Sequence, residues 1–162
     1  MYVVRRTIHI RTGQGAQSDA VDAWLSRHDV EVVGFADVYA ACAYLLKHCD
    51  HVPDLVLVGA DWLSASEFDI VRYARETWPH VGIVVYGGAQ DAPSFDRWPR
   101  VRTCRSAVAL KALLAGTPTE VLGEMPEEIS PATVPARGQP QLPRDGPTAE
   151  QLSALLEGPD DG

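Results

Sequence analysis

Between Pro53 and Gly59 the chain reads Pro-Asp-Leu-Val-Leu-Val-Gly, and this run narrows the possible folds more than any other. Leu55, Val56, Leu57 and Val58 are apolar without alternation, so an extended segment here must be covered on both faces. Such a strand belongs in the middle of a parallel sheet, whose strands are joined by crossover helices. The flanking sequence supplies them. Residues 3–11 read as a first strand, with Ile8 and Ile10 toward one face. Residues 18–28 read as a helix, with Val21, Trp24, Leu25 and His28 spaced i, i+3, i+4 and i+7.

Residues 31–35 follow as a short strand, and Asp37 is placed to cap a helix running to about Cys49. Ser64 and Glu67 have the spacing of a capping box, opening a third helix that must stop before Pro79. Phe68, Val71, Ala74 and Trp78 line one side of it. Residues 81–86 and 101–104 read as two more strands, and 107–115 as a last helix ending at Gly116. Strands alternating with helices predict an α/β fold: a five-stranded parallel sheet in the flavodoxin-like order 2-1-3-4-5, with helices on both faces.

Charge divides the chain. Residues 1–116 hold 12 Lys/Arg against 13 Asp/Glu, whereas 117–162 hold 2 against 9, so nearly all of the net charge of -8 lies after Gly116. Eight of the twelve prolines are there too. That composition buries too little apolar surface to offset its ordering entropy, and predicts an acidic, mostly disordered tail over 117–162. Within it, Thr148 as N-cap, Gln151 at N3 and Leu152, Leu155 and Leu156 on one face offer a short helix over 148–157.

No signal-peptide core or membrane span is evident, so a cytoplasmic protein is expected. Cys42, Cys49 and Cys104 are read as free thiols. His48, Cys49 and His51 cluster without a second ligand pair, so neither a metal nor another cofactor is expected.

Over residues 3–116 the chain resembles the receiver domains of response regulators. The resemblance rests on unit lengths, on Pro53–Gly59 with the following Ala60-Asp61-Trp62-Leu63, and on the run from Ile70 to Tyr86. In receivers a third helix ending in Ile-Arg-x-x-x-Pro leads into a Val-Ile-Val-Leu-Thr strand. The family's working parts are an acidic pair that holds Mg²⁺, an acceptor Asp, a Ser/Thr and a Lys. The resemblance aligns the acidic pair with Arg11 and Thr12, the acceptor with Gly59, the Ser/Thr with Gly87 and the Lys with Arg105. Only the last keeps its charge. Without carboxylates there is no hard-oxygen site for Mg²⁺, and Asp61, two residues beyond Gly59, is not expected to replace the acceptor.

Only 14 residues, 87–100, separate the fourth and fifth strands where receivers carry a full helix, so a loop or single turn around 94–98 is expected. That remodelled edge, with loops 59–62 and 87–91, is the expected contact region: Asp61, Trp62, Trp98, Arg100 and Arg102 are the candidate partner-binding residues. The function implied is a non-phosphorylatable receiver-like protein–protein interaction module in bacterial signalling or transcriptional regulation, not an enzyme, with a protein partner or a second copy of itself.

Two other constellations compete. Gly13-Gln14-Gly15-Ala16-Gln17-Ser18 lies between the first strand and first helix, where backbone amides can hold a phosphate, making Gly13, Gly15 and Ser18 candidate anion-binding residues of a small nucleotide- or anion-binding protein. A plain glycine turn into a capped helix accounts for the same residues. Arg97, Arg100, Arg102 and Arg105 around Trp98 suit nucleic acid or an acidic surface, including the acidic tail. The near-neutral core and the lack of a nucleic-acid-binding motif make nucleic acid an unexpected partner.

Overall fold

The computed structural model describes residues 3–88, 93, 95 and 98–125. Its elements run β1 (Arg6–Ile10), α1 (Ala16–Leu25), β2 (Glu31–Phe35), α2 (Val38–Lys47), β3 (Leu55–Gly59), α3 (Asp69–Thr77), β4 (Gly82–Tyr86), β5 (Val101–Cys104), α4 (Ala107–Leu113) and α5 (Pro118–Gly123). All strand pairs are parallel, in the order β2-β1-β3-β4-β5. The unbroken apolar run forms the central β3, and every one of its five residues is buried.

Strand alternation sends side chains to two separate cores. On one face Ile8, Ile10, Val56, Val58, Ile83 and Val85 pack under α2 and α3. On the other Leu55, Leu57, Val84 and Tyr86 meet α1, α4 and α5. Asp37 caps α2 as expected, accepting the Ala40 N–H at 2.7 Å. Ser106 caps α4 in the same way.

Three expectations change. The Ser64–Glu67 pair does not open α3 directly. Glu67 reaches back to the Ser64 N–H and hydroxyl, but residues 64–68 close tight turns and the helix begins at Asp69. The folded part also continues past residue 116. Thr117 and Glu120 form a complete capping box with Pro118 in the first turn, the signature of a helix start, and α5 results. Val121, Leu122 and Met125 are buried against the second core, each contributing roughly 1.5–3 kcal/mol of apolar burial. The third change concerns Arg100 and Arg102, which hold α5 in place. Arg100 donates to the Leu122 carbonyl at 3.1 Å, and Arg102 pairs with Glu124 at 3.0 Å. Arg100 adopts φ 60°, a left-handed conformation that costs a non-glycine residue about 1–2 kcal/mol.

No helix forms between β4 and β5 among the described residues. The turn expected at 94–98 falls mostly outside them, as do Arg97, Asp91 and the helix expected over 148–157. No helix among the described residues is long and apolar enough to cross a membrane.

Candidate functional site

At the carboxyl ends of β1, β3 and β4 lies the crevice where open α/β sheets bind ligands. Gly59 ends β3 opposite Tyr86, the last residue of β4. A Cβ on Gly59 would stand 3.0 Å from the Tyr86 hydroxyl, 3.3 Å from its Cζ and 3.4 Å from the Ile10 carbonyl. Tyr86 has little room to yield. It is fully buried, and its hydroxyl is tied at both sides.

A chain of polar groups holds it. Asp22 Oδ1, a carboxylate oxygen that can only accept, lies 2.7 Å from His9 Nδ1, so that nitrogen carries the proton. His9 Nε2 is then the acceptor for the Tyr86 hydroxyl at 2.7 Å, and the Tyr86 oxygen accepts from Ser18 at 3.2 Å. Arg11 closes the outer end, donating Nη1 to Asp22 Oδ2 and Nη2 to Asp19 at 3.0 Å. Every hydrogen-bonding atom named has its partner, which a buried polar network requires. Two residues earlier on the same face, Thr7 is buried with no partner for its hydroxyl among the described residues.

The environment fixes the protonation states. Burial pulls His9 below the usual histidine pKa, outweighing the pull of Asp22 and its hydrogen bond in the other direction. Burial likewise pushes Tyr86 up to about 12, against the opposing Ser18 hydrogen bond. The chain is therefore a neutral imidazole between a neutral phenol and a carboxylate. It has the donor–acceptor order of a catalytic triad, but its phenol is sealed from solvent.

Thr12 donates its hydroxyl to the Gly59 carbonyl at 2.5 Å. Asp61 accepts the Gly88 N–H at 2.8 Å. Gly87 and Gly88 have φ of 71° and 92°, and a Cβ on Gly87 would lie 2.6 Å from Asp61 Oδ1, so glycine is needed there for two reasons. The Asp61 carboxylate thus fastens the β3 loop to the β4 loop. Trp62 beside it is 75% exposed, its indole lying against Gly13 where a Cβ would fall 2.2 Å from Cδ1. Trp98 is half-buried instead, its ring 5.4 Å from that of Phe95. Arg105, just past β5, is exposed.

The three residues expected to cradle an anion are separated. Ser18 turns inward to Tyr86, Gly13 lies under Trp62, and Gly15 alone stands as the α1 N-cap, with no side-chain cap. Asp19 in the first turn of α1 and nearby Asp22 are unfavourable to an anion there. Among the described residues no group of His, Cys, Asp and Glu could hold a metal ion, and none of Cys42, Cys49 and Cys104 is in a disulfide.

Asp22 and Tyr86 were not legible as site residues. The available signal was that Ser18 and Asp22 share the inward face of α1 with Val21 and Leu25, while His9 alternates away from Ile8 and Ile10.

Two of the solved structures similar to this chain are receiver domains. One is a response regulator receiver domain from Clostridium thermocellum, with a TM-score of 0.54 and 15% identity over 74% of this chain and 92% of that one. The other is the signal receiver domain of a protein described as a Luxo repressor from Vibrio parahaemolyticus, with a TM-score of 0.53 and 10% identity over 96% of this chain and 99% of that one. The fold is that of receiver domains. No family model matches the chain, and no curated protein matches it in sequence.

Proposed function

We propose that this chain is a receiver-like regulatory module that works by protein contact and takes no phosphoryl group. The observation that carries the reading is the Tyr86 hydroxyl, held by His9 and Ser18 against the place where a side chain on residue 59 would emerge. A receiver's acceptor carboxylate needs that space, and it needs Mg²⁺ to offset the charge of the incoming phosphate. Here the positions aligned with the metal-binding pair are Arg11, whose guanidinium is bound to Asp19 and Asp22, and Thr12, whose hydroxyl is bound to Gly59. Asp61 lies close by but is engaged with Gly88, and among the described residues no other carboxylate is grouped around it to hold a metal.

Contact falls to the loops at the carboxyl ends of the strands. Trp62 is the anchor: a large, exposed aromatic whose loop is fastened by Asp61, so little ordering entropy is lost on binding. Arg100 and Arg102 are instead engaged with α5, and Trp98 packs against the core under α2 and α3. The test is incubation of the full chain with acetyl phosphate and Mg²⁺, followed by intact-mass measurement. The expected result is no phosphoryl adduct. A stoichiometric adduct mapped to Asp61 would overturn the reading.

A further inference from the structure

We propose that the trough between α1 and α4 is a docking site for an acidic amphipathic helix of a partner protein. Its floor is α1's outward stripe Ala16, Ala20 and Ala23, spaced i, i+4 and i+7, facing Leu114 just after α4. The trough is about 900 Å³, nearly all apolar, and alanine walls let another helix backbone come close. Ala20 and Ala23 are exposed, so nothing among the described residues covers this stripe.

Charge selects the occupant. Arg27 and Lys111 line the trough, both are exposed, and neither makes an ion pair among the described residues. A helix with carboxylates flanking its apolar stripe would pair with both while burying that stripe on the alanines. A second copy would bring the same two cations to the same face, which disfavours a symmetric contact. This surface is separate from the Trp62 loops, and its failure would leave the phosphorylation reading untouched.

The experiment titrates the full chain into two labelled synthetic helical peptides, read by fluorescence anisotropy. Both carry leucine at i, i+3, i+4 and i+7; one has glutamate at the flanking positions and the other lysine. The glutamate peptide is expected to bind, and the lysine peptide to bind at least about ten-fold more weakly. Ala20→Arg fills the trough at an exposed position and should weaken the glutamate peptide about ten-fold or more. The double variant R27E/K111E should reverse the preference between peptides. Equal binding of both peptides, or binding indifferent to Ala20→Arg, overturns the proposal. So does a wild-type dimer in sedimentation that Ala20→Arg dissolves, since a second copy is then the occupant. Peptide binding that appears only after Leu152, Leu155 and Leu156 are changed to serine also overturns it, because the chain's own segment then fills the trough.

Discussion

The two faces of the sheet are built on different terms. Under α2 and α3, β1, β3 and β4 present Ile8, Ile10, Val56, Val58, Ile83 and Val85, and none of the buried polar residues Thr7, His9 and Ser18 lies on that face. Under α1, α4 and α5 the same three strands carry Leu55, Leu57 and Val84 but also Thr7, His9 and Tyr86, and α1 adds Ser18. One face answers to size and shape. The other also answers to donor–acceptor order, and its polar chain runs to the end of β3 where a receiver does its chemistry. A polar network survives in a low-dielectric interior only when each group is matched, so this face tolerates change less predictably.

Truncation on the face under α2 and α3 should give the largest effect. Ile10→Ala leaves a cavity at a fully buried site and should cost about 3 kcal/mol in urea unfolding, with no change in the pH dependence of stability. Tyr86→Phe keeps the ring but leaves His9 Nε2 buried without its donor, for a loss of about 2 kcal/mol. Adding His9→Leu to Tyr86→Phe should cost less than the two single losses summed, because both members of the pair are then removed. Additive losses would mean that the two groups do not act together.

Acid sharpens the contrast. The folded pKa of His9 lies below its ordinary 6.5, so its contribution is complete above 6.5 and is lost as pH falls from there through the folded value. Over that window the wild type should lose up to about 1.4 kcal/mol per pH unit from this one group. Chemical denaturation between pH 7 and pH 5 should show a shallower slope for His9→Leu than for the wild type. The smallest effect belongs to the exposed loop. Asp61→Ala returns the Gly88 N–H to water and should cost about 0.5–1 kcal/mol while loosening the Trp62 loop, visible as faster amide exchange at Gly88.

The same two faces explain how much could be read from the sequence. Strands β2, β3 and β5 fall where apolar pattern and β-branched residues place them, and the sheet order follows from βα alternation. The α3 start was displaced because Ser64 and Glu67 satisfy each other inside a turn before the helix begins. Helix α5 was hidden by the proline- and acid-rich composition around it, although Thr117, Pro118 and Glu120 carry its start signal. Gly59 was legible because the strand around it is strongly patterned. The Tyr86–His9–Asp22 chain was not, since its members are 13 and 77 residues apart and meet only once the sheet is assembled.

The account turns on His9 being a neutral, Nδ1-protonated imidazole that receives the Tyr86 hydroxyl. Long-range ¹H–¹⁵N NMR of the histidine side chains in the full chain reads this directly. The predicted spectrum at pH 7 shows one ring in the Nδ1–H tautomer, unprotonated at Nε2, that disappears in His9→Leu and changes its Nε2 shift in Tyr86→Phe. A His9 ring protonated at Nε2 at pH 7, or one whose shifts ignore Tyr86→Phe, would contradict it.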